Sequence, residues 1–294
     1  MSCKNVPIPE AAKAAGMTKL VFCEDFESET AIDFSGKGLP GYSFYADRPY
    51  AMPTLTPEEC QMRDSVLYFV PEKCKAAIGL VSYSKTGRNG FLMTYGYAEA
   101  RIRADMSVGL YDGWPAFWAM EKKAMMGEFW VNCGEIDILE MVDPKGKGRS
   151  GEAGKDKIYT GTLHEHKRFF DEEGNEGKRQ FASSSVIASG YQDNFDYIDD
   201  QWHTYAVLWE PGYIAWYLDD KLMHAARFEE GKIPEYYYRD DPTPVKRLQE
   251  VYPNLTERVW EGAHTIMNTA EEILCLGANK NWPMEVDWVR VWQK

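Results

Sequence analysis

Apolar residues along the chain come in short runs, mostly alternating with polar ones and separated by Gly, Pro, Asn and Asp. KLVFCEDF (19–26), SVLYFV (65–70), GYAEARIRAD (96–105), GEIDILEM (134–141), WHTYAVLWE (202–210) and MEVDWVRVWQK (284–294) have the length and two-residue period of strands. YIAWYLDDKLMHAA (213–226) reads as a hairpin turning at Asp219-Asp220. Helical periodicity is scarce: 8–15 and 242–252, the latter after Pro244, predict two short helices. Strands spread over the whole chain without βαβ alternation predict an all-β sandwich of two antiparallel sheets. No linker or internal repeat breaks the pattern, which predicts one domain over 19–294 behind an extension of 1–18. The Gly- and charge-rich 144–156 predicts a mobile loop, and the polar and aromatic 228–262 predicts a long insertion at a rim.

One run departs from simple alternation. GEIDILEM carries Glu135, Asp137 and Glu140 among Ile136, Ile138 and Leu139. As a helix it would point Asp137 about 160° away from Glu135, and its β-branched residues and Pro144 favour a strand. A regular strand places Glu135 and Asp137 on one face but turns Glu140 onto the face of Ile136 and Ile138. A lone carboxylate in that apolar layer is costly. A single β-bulge after Asp137 removes the conflict by resetting the alternation, so that all three acids share a face.

Two carboxyl groups roughly 5–5.5 Å apart are what retaining glycoside hydrolysis needs, one as nucleophile and one as acid/base. Three crowded carboxyls do not all ionise cheaply, so one keeps a proton near neutrality. A protonated Glu140 is then an acid and an ionised Glu135 a nucleophile. An isolated E-x-D-x-x-E is more often a solvated strand face or a cation site, so the flanking sequence has to decide.

Composition narrows the choice. The 294 residues carry a net charge of −13, which argues against nucleic acid as a partner. No apolar run reaches the roughly 18 residues that cross a bilayer. Aromatic residues make up 14% of the chain, with 10 Trp and 18 Tyr, and rings with polar tips suit sugar faces as well as a large core. The six Cys form no C-x-x-C pair, which disfavours zinc. Cys23, Cys133 and Cys275 lie in strand-like runs and are expected as buried thiols. Cys60 and Cys74 are spaced to pair across a short loop, and spacing alone does not settle whether they do. The first residues show no apolar leader segment, as in a secreted protein given without its leader; Cys3 after a small residue also resembles a lipoprotein cleavage stub. No H-E-x-x-H or G-x-S-x-G motif offers another hydrolytic chemistry.

The flanking segments supply the context. WPAFW (114–118), WVNCGEIDILE (130–140), TLH (162–164), HTYAVLWEPGYIAWYLDDK (203–221) and MEVDWVRVWQ (284–293), in this order, resemble glycoside hydrolase family 16. LVFCEDFE and YGYAEARIR are similar to its early strands, so the resemblance covers roughly 19–293. It implies a concanavalin-like β-jelly roll with the acid strand lining a concave cleft. It also implies a retaining endo-β-glycosidase with Glu135 as nucleophile, Glu140 as acid/base and Asp137 assisting both. The E-x-D-x-x-E spacing resembles the family's bulged branch of laminarinases, agarases, porphyranases and carrageenases. Lichenases and xyloglucan transglycosylases carry E-x-D-x-E instead. Trp114, Trp118 and Trp130 match positions that line sugar subsites, and His164 matches a residue near the acid/base. Asp287 matches the region of a structural calcium site often shared with the strand of Glu24. No cofactor is expected for catalysis. The expected substrate is a β-1,3-glucan or mixed-linkage β-glucan, with a β-galactan as the alternative; a transglycosylase or a non-catalytic sugar-binding protein would use the same scaffold. A secreted or cell-surface monomer acting on polysaccharide is the resulting expectation.

Overall fold

The computed structural model describes residues 3, 6–47, 55–70, 73, 79–104, 115–126, 133–142, 158–170, 176–182, 201–229, 232, 235–238, 270–278 and 283–294, with backbone only for 141–142, 158–160, 164–170, 176–182 and 236–238. In chain order the strands are β1 (Lys19–Glu24), β2 (Ile32–Asp33), β3 (Phe44–Tyr45), β4 (Cys60–Arg63), β5 (Val66–Phe69), β6 (Leu80–Val81), β7 (Gly96–Ala104), β8 (Ala116–Glu121) and β9 (Cys133–Val142). They continue as β10 (Ile158–Phe170), β11 (Glu176–Ala182), β12 (Trp202–Glu210), β13 (Tyr213–Leu218), β14 (Lys221–Arg227), β15 (Glu235–Tyr238), β16 (Glu272–Gly277) and β17 (Met284–Gln293). Two short helices, α1 (Glu10–Ala14) and α2 (Lys122–Met125), are the only α-helices among the described residues.

The first sheet runs β15-β14-β13-β12-β7-β17-β5-β4, with β1 also paired to β17. The second runs β11-β10-β9-β8-β16-β6-β3-β2. Pairing is antiparallel except for the two-residue β2–β3 ladder, which is parallel. The sheets pack face to face as a jelly-roll sandwich. Ile102, Val207 and Val289 from the first meet Phe117, Ile136 and Leu274 from the second in one buried core. Alternation explains the layering, since every second residue of each central strand points into that core.

The predicted hairpin is β13–β14. Asp219 and Asp220 both have positive φ, 48° and 61°, and short polar side chains that can hydrogen-bond locally tolerate this left-handed turn better than most. The predicted helix over 8–15 is shorter, Glu10–Ala14 after Pro9. The helix predicted over 242–252 and the loop over 144–156 lie outside the described residues. Within the predicted insertion at 228–262, residues 235–238 form β15 on the edge of the first sheet.

The N-terminal segment covers the outer face of the first sheet. Val6, Ile8, Ala11 and Ala15 pack with Ala12 and Met17 against a layer containing Tyr97, Leu208 and Trp292. Here the expectation of a buried thiol at Cys23 is corrected: Cys23 is bonded to Cys3 in a disulfide. Phe22 packs against the core, so its neighbour Cys23 turns to the opposite side of β1, where the N-terminal segment lies. The bond also consumes the Cys3 thiol that a lipoprotein stub would need for its lipid. Cys133 and Cys275 are buried free thiols as expected; Cys60 is buried, and its suggested partner Cys74 lies outside the described residues.

Candidate active site

β9 sits between β8 and β10, and both neighbours record the same irregularity. Against β10, Asp137 pairs with Thr162 and Glu140 with Thr160, so Ile138 and Leu139 together oppose Gly161. Against β8, Asp137 pairs with Trp118 and Leu139 with Phe117, leaving Ile138 as the extra residue. This is a β-bulge directly after Asp137, at the position that the apolar pattern requires. Ile136, Ile138 and Leu139 all enter the inter-sheet core.

The acids occupy the other face. Directly opposed residues in an antiparallel ladder share a face. Glu135 therefore lies beside Met120 and is in register with His164, Asp137 beside Trp118 and Thr162, and Glu140 beside Ala116. Cys275 pairs with Trp118 on the same face. Glu135 and Asp137 are 9% and 4% exposed, and Glu140 is half-buried. Burial pushes the Cys275 thiol well above its ordinary value, and the charges of Glu135, Glu272 and Asp137 add to the rise. The Cys133 thiol is raised in the same way, by burial first and then by Glu272, Glu121 and Glu135. Both shifts favour the protonated, unreactive thiol.

Two contacts that the sequence pattern does not reveal anchor the strand. At its start, the Gly134 N–H donates to Glu121 Oε2 at 2.8 Å. At the bulge, Trp216 Nε1 of β13, from the opposite sheet, donates to the Asp137 carbonyl oxygen at 2.7 Å. Both need knowledge of which strands are neighbours; an E-x-D-x-x-E run indicates a bulge without saying what satisfies it.

Of the residues matched to sugar subsites, Trp118 lies on the acid face beside Asp137, largely buried. Trp114 and Trp130 lie outside the described residues. His164 falls opposite Glu135 in the β9–β10 register, one alternation away from Thr162.

The residues matched to a calcium site do not fit that ion. The Asp287 carboxylate is held by Arg101 Nη1 at 2.5 Å. Glu24 is buried and accepts from the Phe26 N–H at 2.6 Å. Burial raises the Glu24 carboxyl above its ordinary value, against the lowering effect of hydrogen bonds from Ser43 and Phe26. Calcium takes roughly six to eight oxygen ligands, and a guanidinium at Asp287 opposes any second cation there. Among the described residues, no group of three or more His, Cys, Asp or Glu is arranged to hold a metal.

Comparison with known proteins agrees with this geometry. A sequence model of the family described as Glycosyl hydrolases family 16 matches residues 72–267. The chain is 26% identical to a keratan-sulfate endo-1,4-beta-galactosidase of Sphingobacterium multivorum, over 98% of this chain and 61% of that protein. It is 29% identical to glucan endo-1,3-beta-glucosidase A1 of Niallia circulans, over 44% of this chain and 15% of that protein. The chain thus spans less than two thirds of the length of these relatives. In fold it is similar to the catalytic domain of an endo-1,3-beta-glucanase (laminarinase) from Thermotoga petrophila RKU-1. That structural match has a TM-score of 0.51 at 15% identity and covers 94% of this chain and 98% of that one.

Proposed function

The chain belongs to glycosyl hydrolase family 16, and from that premise we propose that it is a retaining endo-β-glycosidase acting on a polysaccharide. The observation that carries the reading is the bulge at Ile138, which leaves Glu135, Asp137 and Glu140 on one face of β9.

In this reading the Glu135 carboxylate attacks the anomeric carbon of the sugar on the non-leaving side. The glycosidic bond breaks as Glu140 gives its proton to the departing oxygen, leaving a glycosyl ester on Glu135. Glu140, now ionised, takes a proton from water as that water attacks the same carbon. The ester is released, both carboxyls return to their starting states, and the anomeric configuration is retained after two inversions. Asp137, nearly fully buried between the two glutamates in sequence, raises the cost of ionising its neighbours and so favours a proton on Glu140. Trp118, in register with Asp137, offers an aromatic ring on the acid face.

For the substrate, the first reading is a β-1,3-glucan, including mixed-linkage glucan, supported by the glucan endo-1,3-beta-glucosidase relative. One observation favours a β-galactan as a second reading. The alignment to the galactosidase runs over 98% of the chain and therefore through its loops, whereas the glucanase alignment covers 44%. Loops decide which sugars fit. The Cys3–Cys23 bond supports an oxidising, extracellular or cell-surface setting.

The test is incubation with laminarin, lichenan, agarose, carrageenan and keratan sulfate, followed by product sizing and proton NMR of the first product. Oligosaccharides of retained anomeric configuration are expected. Inverted anomers would overturn the two-glutamate mechanism, and binding without any release of reducing ends would point to a sugar-binding protein.

A further inference from the structure

We propose that Trp216 is a positioning residue for the reaction: its indole N–H fixes the bulge of β9, with Gly161 and His224 holding the ring in place. The inference rests on the reading of Glu135 and Glu140 as the catalytic pair.

A bulge turns one peptide out of the ladder, and its buried carbonyl needs a donor from elsewhere. The Asp137 carbonyl finds one in Trp216 Nε1 at 2.7 Å, supplied by the opposite sheet across 79 residues of sequence. The indole is fully buried and rigid, so it sets the distance between β13 and the bulge. Two neighbours leave the ring one position. On β10, opposite the bulge, a Cβ built on Gly161 would lie 2.4 Å from Trp216 Cδ1, far inside contact distance. Glycine is therefore required there by the ring's approach; its φ is unremarkable. On β14, the His224 ring stacks on the indole at 4.3 Å between centroids and 22° between planes. His224 is buried with no hydrogen-bond partner on either ring nitrogen, and burial holds it in the neutral form. A neutral ring stacks without bringing a positive charge under the acid strand.

The consequence for chemistry follows from where the bond lands. The Asp137 peptide joins the half of the strand carrying Glu135 to the half carrying Glu140. Its rotation changes the separation of the two glutamates, and misplacement of about 1 Å costs on the order of 100-fold in rate.

The experiment compares Trp216→Phe, Gly161→Ala and, as a control, Trp292→Phe, an equally buried Trp in the layer under the N-terminal segment. Each is assayed on whichever panel polysaccharide the wild type hydrolyses best. Trp216→Phe is expected to lower kcat about 100-fold with KM nearly unchanged. The two limbs of its pH profile should move toward each other, because loosened carboxyls perturb one another less. Gly161→Ala should do the same while keeping the indole N–H. Trp292→Phe should lower thermal stability by a comparable amount and leave kcat and the pH profile in place. An unchanged kcat in Trp216→Phe, or a loss matched by Trp292→Phe at equal stability, would overturn the proposal. If the wild type hydrolyses nothing, the catalytic reading itself has failed. The structural half is then decided by amide exchange: Ile138 and Leu139 should exchange faster in folded Trp216→Phe than in wild type, and equal rates would overturn it.

Discussion

The chain contains two runs of nearly the same composition, Glu135-Ile136-Asp137 in β9 and Glu285-Val286-Asp287 in β17, and both end in a β-bulge. In β17 the extra residue is Asp287 itself, set between the Val286–Ile102 and Trp288–Arg101 pairs. There the acids meet cations. Glu285 pairs in register with Arg103 and is salt-bridged to it, and Asp287 is salt-bridged to Arg101. Both arginines also stack on Trp202. In β9 the cross-strand neighbours of Glu135 and Asp137 are Met120, His164, Trp118 and Thr162. The same pattern thus forms ion pairs in one sheet and, in the proposed reading, carries the chemistry in the other. The difference lies in which residues the adjacent strands place in register with the acids.

The sharpest test of that contrast exchanges one oxygen for nitrogen in each run. Glu135→Gln should lower turnover by about 10⁴-fold or more while leaving substrate binding and folding in place. Glu285→Gln should leave turnover within about twofold, because its carboxylate faces Arg103 on the outer side of the other sheet. Equal losses of activity in the two variants would erase the distinction.

A smaller effect separates the supports of the two bulges. The Asp287 bulge leans on its salt bridge to Arg101, whereas the Asp137 bulge leans on an indole stacked on His224. His224 is depressed below its ordinary value by burial alone. Between its folded pKa and the unfolded value of about 6.5, the unfolded chain binds a proton that the native protein does not. Stability is therefore complete above about pH 6.5 and is lost as pH falls below it, by up to about 1.4 kcal/mol per pH unit. Denaturant titrations between pH 7 and 5 should show this slope in the wild type and a flatter one in His224→Leu. Parallel slopes would mean that other groups dominate acid unfolding.

The smallest effect belongs to the ion pairs. Asp287→Asn removes the partner of Arg101, but both side chains are partly solvated, so screening limits the loss to about 0–1 kcal/mol. For a chain this size that is a melting-temperature shift of a few degrees, about 2–4 °C at most. The shift should shrink further at high salt. A loss several times larger would show that the Arg101–Asp287 contact does more than decorate the sheet.

Much of this was legible in the sequence, for identifiable reasons. Alternation marked the strands because each sheet has one face in the core. The bulge could be located because Ile136, Ile138 and Leu139 all demand burial while the three acids do not tolerate it. The Asp219-Asp220 turn followed from local backbone chemistry. The partners of those elements were out of reach. Trp216 reads simply as a core aromatic until β13 is known to face β9, and nothing in the sequence marks Gly161 as required until the indole is placed beside it. Glu121 looks like a surface acid at a strand end, yet it receives the Gly134 N–H. Cys23 sits among apolar neighbours and reads as buried, whereas its side of β1 is decided by which neighbour, Phe22, enters the core. The partner of Asp287 was out of reach for the same reason, since Arg101 lies 186 residues away in the chain.

The bulge has a consequence for how such a strand can vary over time. Because Ile138 is the supernumerary residue, removing that one codon would turn E-x-D-x-x-E into E-x-D-x-E and still leave every acid on the same face. The two spacings are then neighbours separated by a single insertion or deletion, and selection on the carboxylates need not resist the change. What such a deletion would abandon is the carbonyl that Trp216 holds. A lineage crossing that step would keep its acids on one face but would be free to lose the indole and, with it, the requirement for glycine at position 161.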